Sequence, residues 1–313
     1  MSGAVAPEKT YSSPASSQRF CDWLAFSLGR KTGNWRLVRR LAAHASGTWT
    51  EQRVTNSRGT VYELDLNDAH QRHVYYVGVH EPIETLFLER TVQRGWTALD
   101  VGANMGYFTL LLSRLVGETG VVHSFEPTQR MSEKLQRHIE LNRASNVRAH
   151  HLALSDTVTE TRLIESPGDS LSNTRLARED EPGAESVSVS TLDKFVEESA
   201  IDHIDFIKID IEGSEARFLR GAAKALKRWR PTLLIEINPG MLAQFGSTRE
   251  EVISMLQELD YELLVPSSRD LMLPISQVPS HPYVNAVAVP RSRKNTGSPA
   301  ASSSKTDYEV VSK

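Results

Sequence analysis

A chain of 313 residues, at roughly 100 to 200 residues per domain, holds one large domain with additions or two small ones, with an ample core in either case. Thirty-six Lys and Arg stand against thirty-nine Asp and Glu, a formal charge of -3, so neither a basic footprint for nucleic acid nor an acidic solvating tail is expected. Cys21 is the only cysteine, which excludes an intrachain disulfide framework, a cysteine zinc site and a paired-thiol redox motif, and points to a reducing, cytoplasmic compartment.

The opening MSGAVAPEKTYSSPASSQRF has no apolar core of secretory length, and no run later in the chain is long enough to span a bilayer, so a soluble protein without a membrane partner is expected. Residues 1–17 and 291–313 are poor in apolar side chains and read as disordered ends. Residues 18–95 read as an extension of short helical and strand pieces. It begins with the cluster Phe20, Trp23, Leu24, Phe26, Trp35, Leu37 and Leu41, continues through alternating Tyr62, Leu64 and Leu66, and includes the β-branched run from Val74 to Val79, which reads as strand.

From residue 96 to 290 apolar runs of strand length alternate with stretches of helical spacing. TALDV and VVHSFEP read as strands around a helix over 106–116. Met131, Leu135 and Ile139 mark the next helix, and NVRAHHLALSD a third strand. Residues 165–186 are polar and without aromatics, which reads either as a mobile cap beside a site or, the reading preferred here, as a disordered insertion. IDFIKIDI is a strand, followed by a helix with the stripe Leu219, Ala222, Ala223, Leu226 and Trp229 that Pro231 stops. TLLIEI is the next strand, Ser247 and Glu250 form a capping box, and YELLV and VNAVAV close the pattern. This alternation implies an α/β fold with a mainly parallel sheet and helices on both faces.

Ligands of such sheets lie beyond the carboxyl ends of the strands. There the first strand ends in Asp100-Val101-Gly102-Ala103-Asn104-Met105-Gly106, a G-x-x-x-G turn. A dinucleotide fingerprint needs a glycine where Asn104 stands, which disfavours a nicotinamide oxidoreductase. A buried Asp100 repels a diphosphate and attracts the amino group and sulfonium of S-adenosylmethionine. Glu126, ending the second strand, suits the two hydroxyls of a ribose, a role shared by both ligands.

The string LDVGANMGYFTLLL at 99–112, FEP at 125–127, ALSD at 153–156, STLDKF at 190–195, IDFIKIDIEGSE at 204–215 and LLIEINP at 233–239 resembles the FkbM-type family of S-adenosylmethionine-dependent methyltransferases. The likeness runs roughly from Tyr75 to Pro290, with DVGAN followed by KIDIEG as its most specific part. It implies a Rossmann-like class I methyltransferase sheet of seven strands with an antiparallel closing strand. It also implies donor contacts from Asp100, Gly102, Asn104 and Gly106 to the methionine part, Glu126 to the ribose and Asp156 to the adenine amino group. Glu81 and Glu84 resemble an acidic motif that precedes the first strand.

Asp210 and Glu212 flank Ile211 and share a strand face, and Glu236 and Asn238 repeat that spacing on the neighbouring strand. Asp210, Glu212 and Glu236 are therefore the catalytic candidates, either as a base with a raised pKa or as oxygen ligands of a divalent cation, with no metal assigned. Lys208, two residues before Asp210, points to the same face. His80, His150 and His151 are weaker candidates, as strand histidines are mostly structural. The basic residues Arg217, Arg220, Lys224, Lys227, Arg228 and Arg230 read as a solvated face. At the fourth strand end, Asp210-Ile211-Glu212-Gly213 lacks the N/D-P-P-Y or F sequence by which base-amino methyltransferases resemble one another. The expectation is S-adenosylmethionine-dependent O-methylation of a small molecule, sugar or secondary metabolite. A degenerate fold acting as a binding module is the alternative. No motif encodes the acceptor or the oligomeric state.

Overall fold

The computed structural model describes Leu24 and residues 51–56, 58–165, 174–177, 181–266, 272–278 and 283–291. The expected disordered ends and, Leu24 apart, the Phe20 to Leu41 cluster lie outside the described residues.

The described chain opens with a hairpin, β1 (Glu51–Thr55) and β2 (Val61–Asp65), then helices α1 (Ala69–Val77) and α2 (Pro82–Thr91). The run from Val74, strand-like in its β-branched residues, belongs to α1. Local signals override propensity here: the Asp68 side chain accepts the Gln71 N–H at 2.9 Å as an N-cap, and Gly78, at φ 83°, closes the helix in the left-handed region. Side chains of the main domain clip the hairpin in place, Asn142 and His138 among them. Asn142 takes the Val61 N–H at 2.8 Å and returns a bond to its carbonyl at 2.7 Å. Nε2 of His138 accepts the Glu63 N–H at 2.9 Å, so its Nδ1–H donates to the Met105 carbonyl at 2.7 Å.

The main domain runs β3 (Thr97–Val101), α3 (Tyr107–Val116), β4 (Val121–Phe125), α4 (Gln129–Asn142), β5 (Val147–His150), β6 (Ala153–Leu154), β7 (Thr159–Glu165), β8 (Thr174–Leu176), β9 (Glu185–Ser190), α5 (Leu192–Glu198) and β10 (Phe206–Ile209). It continues with α6 (Glu215–Gly221), α7 (Ala223–Trp229), β11 (Thr232–Ile237), α8 (Pro239–Gln244), α9 (Arg249–Glu258), β12 (Tyr261–Pro266), β13 (Met272–Pro274) and β14 (Val284–Pro290). The principal sheet has the order β13-β12-β14-β11-β10-β3-β4-β5, parallel from β5 to β11, with β14 antiparallel between β11 and β12. This is a class I methyltransferase sheet with its antiparallel closing strand, and β13 adds an eighth strand to the seven expected. Apolar side chains on its two faces build two cores, one around Ile207, Phe218 and Ile235, the other around Leu112, Leu135 and Phe206. Strand order reverses between β3 and β10, so a crevice opens above their carboxyl ends.

Four local expectations shift. NVRAHHLALSD is two strands: β5 joins the principal sheet, whereas β6 pairs with β9 in a second sheet of order β6-β9-β7-β8. Within the expected disordered insertion, β8 pairs antiparallel with β7, and Glu185 already begins β9; residues 166–173 and 178–180 lie outside the described residues. The helix after β10 is interrupted at Ala222, giving α6 and α7, and the cap of α9 is Thr248, whose side chain accepts the Glu251 N–H at 3.1 Å, rather than Ser247.

Gly102 combines two constraints. Its φ is +83°, and a Cβ there would lie 1.8 Å from the Asp210 carbonyl oxygen at the end of β10. Gly59 has a φ of +81° with nothing within 4 Å. Gly102→Ala is therefore expected to lose roughly 2 to 5 kcal/mol in urea unfolding, backbone strain plus overpacking, and Gly59→Ala only about 1 to 2 kcal/mol. Equal losses at the two positions would show that the close approach is not tight in solution.

Candidate active site

The crevice holds a cavity of about 530 Å³, walled by the carboxyl ends of β3, β4, β10 and β11, by α1, and by the β7 face. Its floor is the glycine turn. Gly102 and Ala103 N–H both donate to the Phe125 carbonyl, at 3.0 and 2.9 Å, which folds the turn back over β4. Asn104 takes a left-handed φ of 51° and donates its N–H to Glu126 Oε2 at 2.8 Å, while Glu126 Oε1 accepts the N–H and hydroxyl of Thr128 at 3.0 and 2.7 Å. Burial raises the Glu126 pKa, and these donors oppose the rise.

Of the donor residues expected from sequence, Gly102, Asn104 and Glu126 line the cavity; Asp100, Gly106 and Asp156 do not. Asp100 is fully buried beneath the turn, where Oδ2 accepts the Thr109 hydroxyl at 2.6 Å and Oδ1 has no hydrogen-bond partner. Burial raises its pKa against the pull of Lys208. Gly106, at φ 91°, starts α3 where a Cβ would lie 2.5 Å from Leu135 Cδ1. Asp156 lies 4.0 Å from Arg220, while its neighbours Ser155 and Thr157 line the cavity.

The catalytic candidates Asp210, Glu212 and Glu236 come together at the other end. Lys208, 3% exposed, pairs in register with Asp100 of β3 and donates from Nζ to Asp210 Oδ2 at 2.9 Å, with Nζ 4.7 Å from the centre of the Phe108 ring. Burial works against its charge, but Asp210, Asp100 and Glu81 outweigh it and raise its pKa. Asp210 is likewise penalised by burial, yet Lys208 and a hydrogen bond from Glu236 hold its pKa low. Burial and the Asp210 charge push Glu236 well up, so the pair shares one proton. Glu212 is pushed up to about 7 by burial and then by Asp210, and its φ is 54°. The turn behind it is shaped by Glu215, whose Oε1 accepts the N–H groups of Ile211 and Gly213.

The extension supplies residues that the strand-end rule does not reach. His70, Gln71, His80 and Glu81 line the cavity. Glu81, at φ 43°, is pushed up to about 7 by burial, and His80 falls to about 3 because burial and then His70 and His73 disfavour its charge. Glu84 accepts a bond from Asn285 Nδ2 at 2.9 Å. Thr159, Thr161 and Leu163, alternate residues of β7, form the side wall, a period-2 signal present in VTETRLIE. His123 and His150 lie off the cavity, their rings stacked with ring nitrogens 3.1 Å apart, and His151 approaches the Pro127 carbonyl at 2.8 Å. Among the described residues no group of three His, Cys, Asp or Glu side chains is arranged to hold a metal ion, and no helix is long and apolar enough to cross a membrane.

The profile of the methyltransferase FkbM domain matches residues 100–263, just over half the chain. The chain belongs to the FkbM methyltransferase family. Its methyl donor is S-adenosylmethionine. Solved methyltransferase structures are similar at low identity. Methyltransferase FkbM from Methylobacillus flagellatus is 18% identical at TM-score 0.43, with 86% of this chain and 58% of that one covered. A Thermotoga maritima S-adenosylmethionine-dependent O-methyltransferase is 14% identical at TM-score 0.39, with 81% of each chain covered. A Streptococcus mutans protein in complex with S-adenosylhomocysteine is 16% identical at TM-score 0.40, with 67% of this chain and 99% of that one covered. No curated protein sequence matches.

The FkbM site fits its donor by charge. Asp210, Glu212, Glu81 and Glu126 line the cavity with Lys208 and Arg217, and the excess of carboxylates favours a sulfonium over a diphosphate. The unpartnered Asp100 Oδ1, buried under the turn, suits an ammonium.

In the free protein, Glu212 and Glu81 titrate near 7 when folded, against 4.5 ordinarily. Between those values the folded state binds more protons than the unfolded one, so these groups make stability fall as pH rises from about 5 to about 8. Urea titrations across that range check this slope, and Glu212→Gln is expected to flatten it; an unchanged slope contradicts the assignment.

Proposed function

We propose that this FkbM-family enzyme methylates a hydroxyl of a small molecule, with Glu212 as the general base. The observation that carries the reading is a cavity-lining carboxylate with a pKa near neutrality beside an ionised aspartate. A general base works best when its pKa lies near the operating pH, which fits Glu212 and excludes both the low Asp210 and the high Glu236 from that task. Asp210, fixed by Lys208 and Glu236, orients the acceptor hydroxyl; Glu236 keeps its proton and holds Asp210 in place. The left-handed backbone of Glu212 is strain of the kind that collects at functional sites.

S-adenosylmethionine supplies an electrophilic methyl group on a sulfonium. Glu212 would take the proton of the acceptor hydroxyl that receives the methyl group. Glu126 would hold the ribose hydroxyls, Asp100 the ammonium, and the wall at Ser155, Thr157 and Thr159 would face the adenine in place of Asp156. Positioning of this kind can supply on the order of 7 to 11 kcal/mol of the barrier.

A small-molecule acceptor, rather than nucleic acid, agrees with the surface charges. Arg220 pairs with Glu251 at 3.3 Å and Arg230 with Asp260 at 3.0 Å, and Lys224 lies 3.9 Å from Glu197, so much of the basic face is neutralised locally. The near-neutral total charge adds no wider attraction for phosphates.

A thermal melt with S-adenosylhomocysteine at about 100 times its dissociation constant is expected to add about 2.7 kcal/mol, with no gain from NAD. With an acceptor found by screening, Glu212→Gln is expected to lower kcat by roughly 10² to 10⁴ while S-adenosylhomocysteine affinity stays unchanged. Retained turnover in that variant removes Glu212 as the base, and exclusive methylation of RNA or DNA overturns the small-molecule reading.

A further inference from the structure

Gln71 presents a buried donor that nothing in the fold uses. It belongs to α1, outside the segment that matches the FkbM family, and stands in the cavity wall with 1% of its surface exposed. Oε1 accepts the Asp65 N–H at 2.9 Å, whereas Nε2 has no hydrogen-bond partner. The backbone bond fixes the amide orientation, because a flip would set two donors against each other. A buried amide donor left alone carries a desolvation penalty that an arriving acceptor atom removes.

The start of α3 points the same way. Met105, Tyr107 and Phe108 line the same cavity, and α3 runs for ten residues with no side-chain cap and no acidic residue in its first turn. Its leading N–H groups and the positive end of its dipole therefore favour an anion. Elsewhere the cavity presents mostly carboxylates, which repel one.

We propose that Gln71 Nε2 and the uncapped start of α3 hold the carboxylate of the donor's methionine end. Of the side-chain atoms left without a hydrogen-bond partner among the described residues, Gln71 Nε2 is the one whose residue lines the cavity, a buried donor for the carboxylate. The inference rests on S-adenosylmethionine as donor, and it makes the extension before β3 part of the donor site.

The test is calorimetry on the full chain with S-adenosylhomocysteine and its decarboxylated analogue, which keeps the adenosine, sulfur and ammonium. The unaltered protein is expected to bind the first about tenfold or more tighter, in line with a hydrogen bond to a charged group. Gln71→Glu keeps the acceptor for the Asp65 N–H and replaces the amide donor with a carboxylate oxygen. It is expected to erase the preference by weakening S-adenosylhomocysteine while leaving the analogue within about twofold. Equal affinities in the unaltered protein overturn the proposal whether or not the variant folds. Equal weakening of both ligands by Gln71→Glu, or no change in either, assigns Gln71 a structural role or an ordered water and overturns it too. Binding of neither ligand by the unaltered protein counts against the donor itself, a separate result.

Discussion

The pairing of Lys208 with Asp210 at the centre of the sheet is the constraint on which the site depends. A lysine in a central strand, buried to 3% exposure, is tolerable only with carboxylates around it, and the β3–β10 register supplies Asp100 beside it while β10 itself leads into Asp210. Removing one partner from a buried pair typically costs about 3 to 5 kcal/mol, because the other is left charged and dry. Lys208 therefore sits between the Asp100 of β3 and the Asp210 that follows β10, so its charge links the glycine turn to the carboxylates at the neighbouring strand end.

The fixed charge of Asp210 organises the protonation states around it. It lifts Glu236 and Glu212, already raised by burial, so that one neighbour holds a proton and the other titrates near neutrality. Three carboxylates of the same chemical type thus take three roles by environment alone. The cavity stays acidic enough to favour a sulfonium donor, and Gln71 and the start of α3, which line the same cavity, add groups of a different character.

Much of this is legible in the sequence because the fold places chemistry at strand ends. Asp210 and Glu212 stand at positions where a period of two and a parallel sheet leave little freedom, and the G-x-x-x-G turn by its spacing alone argues against a diphosphate. What escapes a reading of the sequence is local or comes from outside the alternating pattern. Val74 to Val79 looks like strand because β-branched residues dominate it, and only the Asp68 cap and Gly78 stop reveal a helix. Gln71 and the β7 threonines carry no motif; their importance follows from an orphaned amide and a shared strand face that appear once the chain is folded. The family likeness implies a contact from Asp156 to the adenine amino group, and in the fold its neighbours Ser155 and Thr157 line the cavity.

The near contact between Gly102 and the Asp210 carbonyl has a kinetic corollary. With no side chain between them, the turn and the end of β10 form one rigid piece, and the floor of the cavity cannot open. Spent donor and methylated product must leave through walls not built from that floor, the α1 side with Gln71 or the β7 face with its threonines.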